Sequence, residues 1–325
     1  MSTHGGTKAV IAAMAANGFI ALTKFGAWIL TGASSMLAEA VHSVADTGNQ
    51  ALLLFGGRRA TRTASEEHPF GYGRERYVFA FLVAVILFSL GGLFALYEAF
   101  HKYEEILAGH PNQLLEGPWW WVPILVLTAA IVAESLSFRT AIRESRPLKG
   151  RQGWLRFIRT AKSPELPVVL LEDFAALLGL VFALVGVGMT LLTHNELWDV
   201  AGTAMIGVLL IVVAVTLAAE TKSLLVGEAA SPEAVGRIRA ALAGADGVQR
   251  VIHLKTLHLG PEEVLAVAKI GVEPTESAAR VAEVINAAEA AIRAAEPQVT
   301  ALYLEPDIDT STVDTRTATE PPREP

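Results

Sequence analysis

The 325-residue chain has no cysteine. Disulfides and thiolate metal sites are therefore excluded, and any metal it handles must meet nitrogen or oxygen. It has no basic stripe and no nucleic-acid motif, and its net charge is −7, so nucleic acid is not an expected partner. The patterns GxxxxGK[ST], GxGxxG and HExxH are all missing, as is any internal repeat in the long apolar stretches. With no protease signature on any helix, the chain does not read as an enzyme, and no cofactor is expected. Charge is scarce: 18% of residues are charged against 52% hydrophobic. That apolar content lies in long runs, which points to a membrane protein rather than a large soluble core.

Six stretches are long enough to cross a bilayer, which needs about 20 apolar residues each. They are placed at 8–30, 36–57, 77–100, 118–138, 166–191 and 198–221. The first follows only Lys8 and is too long for a signal-peptide core, so it reads as a retained span. The loop after the second span carries Arg58, Arg59, Arg62, Arg74 and Arg76. The loop after the fourth carries Arg139, Arg143, Arg146, Lys149, Arg151, Arg156, Arg159 and Lys162, whereas the opposite side offers Lys102 alone. By the positive-inside rule both termini are cytoplasmic. Trp119, Trp120 and Trp121 open the fourth span as an interfacial aromatic belt, and Glu134, near its cytoplasmic end, reads as a partner for Arg139.

From Ser231 the runs shorten and charge rises. Residues 231–243 read as an amphipathic helix, with Ser231 as N-cap and Pro232 in the first turn. Strands are expected at 249–258, 263–272 and 298–305, and a second helix at 275–295. The expected architecture is an α-helical membrane protein with six transmembrane helices, followed by a small cytoplasmic α+β domain of α-β-β-α-β, ferredoxin-like order. Its divisions are a transmembrane domain over 1–226, a C-terminal domain over 227–308 and a disordered tail over 309–325.

An ionised side chain at mid-bilayer costs roughly 2.5–3.5 kcal/mol even on the lenient insertion scale, so charges inside spans are functional candidates. In "AEAVHSVADTGNQ", Glu39, His42, Asp46 and Asn49 are spaced 3, 4 and 3. At about 100° per residue they share one helix face. His42 and Asp46, one turn apart, can converge on a divalent first-row ion; a polar network that only packs helices accounts for the set as well. In the fifth span, Glu172 and Asp173 are adjacent and point about 100° apart. One can ligate while the other faces the cytoplasmic opening. Alternatively, the pair sits near the helix start behind Pro164 and Pro167 and answers only to the helix dipole. His68, beside Glu66 and Glu67 in the basic loop, reads as a solvated residue or a peripheral metal site.

"SSMLAEAVHSVADTGNQALLLFG", "HPFGYGRERY", "WDVAGTAMIGVLL" and the small domain behind the spans together resemble the cation diffusion facilitator family of divalent-metal transporters, over about residues 8–307. "LLEDFAALLG" and "ETKSLLVGEA" look most like the branch that includes the animal mitochondrial zinc transporter. The resemblance implies a homodimer in a lipid bilayer that exports Zn²⁺ or a related ion from the cytoplasm in exchange for protons. The metal is then a transported substrate. The resemblance also implies a tetrahedral site with two ligands from the second span, matched by His42 and Asp46, and two from the fifth, of which Asp173 matches the second. Where the family's first fifth-span ligand stands, this chain has Val169, and Glu172 is the substitute at hand. Glu39, Asn49 or water are the other candidates. One nitrogen with three carboxylates is oxygen-rich, which leaves Mn²⁺, Fe²⁺ or Co²⁺ beside Zn²⁺. Ile252, Lys269 and Tyr303 stand where relatives bind regulatory zinc, so no metal is expected in the C-terminal domain. Asp199 matches a family position and is expected as a helix N-cap. The incomplete ligand set motivates one rival, a transport-inactive scaffold or sensor. The Ala-rich chain with short loops suggests a bacterial plasma membrane.

Overall fold

The structure, a computed structural model, describes residues 3–110 and 113–308, and for residues 3–16 the backbone alone. The expected tail from Asp309 lies outside the described residues. The chain divides at Val226 and Gly227 into two compact units.

The first unit is helical throughout. Its elements are α1 (Thr3–Thr31), α2 (Ser34–Ala60), α3 (Glu75–Ile86), a π-helical turn at Leu87–Leu93, α4 (Phe94–Leu107), the short α5 (Gln113–Glu116), α6 (Trp121–Lys149), α7 (Trp154–Thr160), α8 (Glu165–Thr193) and α9 (Leu197–Val226). Among the described residues, and counting α3 to α4 as one continuous helix, four helices are long and apolar enough to cross a membrane: Glu75–Leu107, α6, α8 and α9. α2 packs against α1, α3, α8 and α9, which puts its polar face inside the bundle. Met36, Leu87, Leu127, Leu180, Ile206 and Leu210 form the fully buried apolar core around it. Phe19, Leu22, Leu125, Val132, Leu136 and Leu192 lie outward and exposed, as expected of side chains that meet lipid rather than water.

Close helix approach comes from glycine. A Cβ on Gly202 of α9 would stand 2.8 Å from the carbonyl oxygen of Phe182 and 3.3 Å from the Cα of Gly186, both on α8. A Cβ on Gly92 would stand 2.5 Å from Ile211 Cγ1 of α9, and one on Gly207 would stand 3.0 Å from the Gly92 carbonyl oxygen. Small residues that let backbones touch are the usual way helices pack where lipid removes the hydrophobic drive between them.

Two features depart from the expected pattern. The fourth apolar stretch was expected to end near 138, but α6 runs on to Lys149 and carries Arg139, Arg143 and Arg146 with it. The run is rich in good helix formers, and nothing breaks the helix where the apolar stretch stops. Pro147 falls in the last turn, and Gly150 at φ 56° ends the helix. The second departure is the π-helical turn, which interrupts the third long helix at its two adjacent glycines.

α2 starts without a cap from its own N-cap residue, Ala33. Asp199, in the first turn of α9, supplies it from another helix. Its Oδ2 accepts from the Ser34 N–H at 2.8 Å and the Ser34 hydroxyl at 3.0 Å, and its Oδ1 accepts from the Ser35 hydroxyl. The Asp199 N–H donates to Thr190 Oγ1 of α8 at 3.1 Å. Asp199 therefore caps, but it caps a helix other than the one it begins.

The second unit has the order α10 (Pro232–Ala243), β1 (Arg250–Gly260), β2 (Glu263–Val272), α11 (Ala278–Ala295) and β3 (Val299–Ile308). Ser231 caps α10, accepting from the Ala234 N–H at 3.2 Å, and Ser277 caps α11 in the same way through the Arg280 N–H. The sheet order is β1-β2-β3, with β1 antiparallel and β3 parallel to β2. The parallel pair needs a crossover, and α11 provides it. Val264, Ala266, Ala268 and Ile270 alternate along β2 and pack on Ile238 and Leu242 of α10 and on Val284, Ala288 and Ile292 of α11.

Candidate transport site

α2 brings Glu39, His42, Asp46 and Asn49 to the inside of the bundle. Glu39, His42 and Asn49 are at most 1% exposed. His42 Nδ1 lies 3.5 Å from Asp46 Oδ1. Neither ring nitrogen of His42 has a hydrogen-bond partner among the described residues, nor has Asp46 Oδ1. A fully buried imidazole with both nitrogens unmatched is costly unless something else satisfies it.

α8 supplies the acids. Glu172 is buried and accepts from Asn49 Nδ2 at 2.6 Å, which ties α8 to α2. Asp173 is turned toward α6, where the Ser137 hydroxyl donates to its Oδ2 at 3.0 Å. The two neighbours thus diverge, as their 100° separation requires. Asp46 lies within electrostatic reach of both Asp173 and Glu172. Val169 is partly buried and offers no ligand atom. The structure therefore joins His42 with Asp46 and Asn49 with Glu172, with Asp173 beside them. Among the described residues, no three His, Asp or Glu side chains are closed up around one point.

Glu39 is engaged elsewhere. Lys24 of α1 is 1% exposed, and its Nζ donates to Glu39 Oε2 at 2.9 Å, to the Glu39 carbonyl at 3.4 Å and to Ser43 Oγ at 2.7 Å. The other carboxylate oxygen, Glu39 Oε1, has no partner among the described residues and faces Gly179, where an added Cβ would stand 2.6 Å away. His68 lies apart, exposed in the loop between α2 and α3 with its ring 4.6 Å from that of Tyr72.

Lys24 and Glu134 were not read as members of this group from sequence. Lys24 is a lone cation in "FIALTKFGAWIL", and the rule that drew attention to Glu39 applies to it equally. Glu134, read as a partner of Arg139, lies within electrostatic reach of Asp46, Lys24, Asp173 and Glu39. Ser137 had no sequence signal beyond its place one turn from Glu134.

In the second unit, His258 is buried, with its Nδ1 3.2 Å from the Gly260 carbonyl oxygen. His253 stands opposite Lys269 in the β1–β2 register. Lys269 pairs with Asp307 at 2.9 Å and with Glu305 at 3.2 Å. Those carboxylates, Asp307 first, raise the Lys269 ammonium above its usual range, and Lys269 holds the Asp307 carboxyl below its own.

The cation efflux transmembrane domain matches residues 10–226, two thirds of the chain. The chain belongs to the cation efflux, or cation diffusion facilitator, family. It is 34% identical over 266 residues to the proton-coupled zinc antiporter SLC30A9, mitochondrial, of Xenopus laevis, covering 81% of this chain and 46% of that one. It is 28% identical over 256 residues to metal tolerance protein C4 of Arabidopsis thaliana, covering 78% and 54%. The chain thus spans about half the length of these relatives. A solved MamM-CTD structure, 28% identical, covers 23% of this chain and 90% of its own at a TM-score of 0.23. With its family and its four apolar helices, the chain is an integral membrane protein.

Proposed function

We propose that this cation diffusion facilitator is a secondary transporter that moves a divalent cation, Zn²⁺ foremost, out of the cytoplasm in exchange for protons. The observation that carries the reading is His42, buried, with both ring nitrogens unmatched and Asp46 one turn away. Membership of the family and the similarity to a protein named as a proton-coupled zinc antiporter support it.

In this reading His42 gives a nitrogen, Asp46 and Asp173 give carboxylate oxygens, and Glu172 gives the fourth donor on leaving Asn49. Ligands must shed their protons to bind metal, so metal capture releases protons and outside protons expel the metal. One ligand set then serves both ions. The three-carboxylate set keeps Mn²⁺, Fe²⁺ and Co²⁺ as alternative substrates. The full proposal has six spans with both termini cytoplasmic, a homodimer, a ferredoxin-like C-terminal domain and, given the Ala-rich chain with short loops, a bacterial plasma membrane.

The test is uptake of Zn²⁺, Mn²⁺, Co²⁺ and Fe²⁺ into proteoliposomes under an imposed pH gradient. We expect uptake by the wild type and its loss in Asp46→Ala and Asp173→Ala. Loss in Glu172→Ala as well makes Glu172 part of the mechanism, whereas retention leaves it as helix-to-helix packing with Asn49. Val169 and the open arrangement of the acids favour a second reading, a transport-inactive partner of another transporter. A folded wild type that moves none of the four ions establishes that second reading over the first.

A further inference from the structure

Lys24 is a charge that the transport reading does not use. Its ammonium is buried in α1 and held by three oxygens of α2, the two Glu39 acceptors and Ser43 Oγ. Glu39 and Ser43 flank His42 on the same helix. The charges within electrostatic reach are otherwise acidic, with Asp46 on α2 and Glu134 on α6. A buried ion pair is a poor way to gain stability, since desolvating both charges offsets much of their attraction. What it does supply is a fixed positive charge at a fixed place.

We infer that Lys24 is a resident counter-cation that tunes the affinity of the transport site. It occupies Glu39, keeping that carboxylate out of the ligand set, and it repels a divalent ion bound at His42 and Asp46. The inference rests on the proposed transport site. It gives the pair a role in release: a transporter whose acids held the metal too tightly would capture it and stall. In a low-permittivity bundle, the field of one buried unit charge on a divalent ion is large and poorly screened by salt.

The experiment is Zn²⁺ titration calorimetry on the purified full chain in nanodiscs, with the fold checked by circular dichroism. Lys24→Met is expected to bind Zn²⁺ at least about tenfold more tightly than the wild type. Lys24→Arg, which keeps the charge, is expected to restore the wild-type affinity. Glu39→Gln, which leaves Lys24 unbalanced, is expected to bind more weakly. If Lys24→Met does not fold, the same charge is removed by comparing Lys24→Met/Glu39→Gln with Glu39→Gln, and the double variant is expected to bind more tightly. Folded variants lacking Lys24 whose affinity is unchanged or weaker overturn the inference. Asp46→Ala separates the two levels. If it abolishes Zn²⁺ binding while Lys24→Met binds like the wild type, the inference alone fails. If it binds like the wild type, the transport site itself is wrong.

Discussion

Asp199 begins one helix and secures the start of another. Three donors from Ser34 and Ser35 converge on its carboxylate, and all of these groups are buried. Replacing Asp199 with Ala leaves the Ser34 N–H and the Ser35 hydroxyl without this acceptor, while the Ser34 hydroxyl can still turn to Thr203 Oγ1 at 2.9 Å; each unsatisfied buried group costs about 1–3 kcal/mol. We expect Asp199→Ala to lower the unfolding midpoint in detergent markedly, and Asp199→Asn, which keeps one acceptor oxygen, to lower it less. At this scale the sequence is informative about which residues matter and poor about whom they meet. The 3, 4, 3 spacing put Glu39, His42, Asp46 and Asn49 on one face because helical periodicity is local. That Glu39 turns to Lys24 and Asn49 to Glu172 depends on which helices are neighbours, and spacing along one helix carries no such information. Val169 drew attention only through the family resemblance, which implies a ligand at that position.

The long helices were legible as apolar runs, and their ends were not. α6 outlasts its apolar stretch because helix propensity does not stop at a membrane surface, and α7 appears in a segment read only as a charged loop. The π-helical turn gives no sign in the hydropathy of 77–100, since apolar side chains all round a helix mask a slip in its period. The glycine contacts are the element-scale feature most open to test. In Gly202→Ala, the new Cβ meets the backbone of α8 at Phe182 and Gly186, and neither can move aside as a flexible side chain would. We expect it to destabilise the bundle by about 1–3 kcal/mol, the usual cost of overpacking. Gly188→Ala on α8, where an added Cβ meets nothing within 4 Å, is the matched control and should melt at or slightly above the wild type, since Ala favours a helix interior over Gly. Thermal melts of the two in one detergent check this.

At the largest scale the chain was legible as an apolar helical part followed by a small mixed domain, because composition changes sharply near residue 230. In the second unit, the Ser231 cap and the succession of strands follow from short-range signals, Ser before Pro and alternating apolar residues, whereas the Ser277 cap was not read from the sequence. The Lys269–Asp307 pair makes a pH prediction. Asp307 is held below its usual range, so its stabilising contribution is full above the ordinary carboxylate value and is lost as pH falls through the depressed one. Lys269 is raised, so its contribution is full below the ordinary lysine value and is lost only as pH rises through the elevated one. Amide exchange in β3 should therefore be faster in Asp307→Asn than in the wild type at neutral pH. The difference should vanish in acid, once Asp307 is protonated in both folded and unfolded chains.

The glycine seams also bear on how such a bundle can move. Where Gly186 and Gly202 bring α8 and α9 together, backbone lies on backbone, and Gly92 of the π-helical turn lies as close to α9 at Gly207 and Ile211. Those helices are held to one another by close contact, and Asp199 moors the start of α2 to the same seam. Lys24, Glu134 and Ser137 lie outside that seam, on α1 and α6. Any shift of α1 or α6 against the seam would carry the buried ammonium of Lys24 or the Ser137 partner of Asp173 with it, and would change the field at His42 while every acid stays on its own helix.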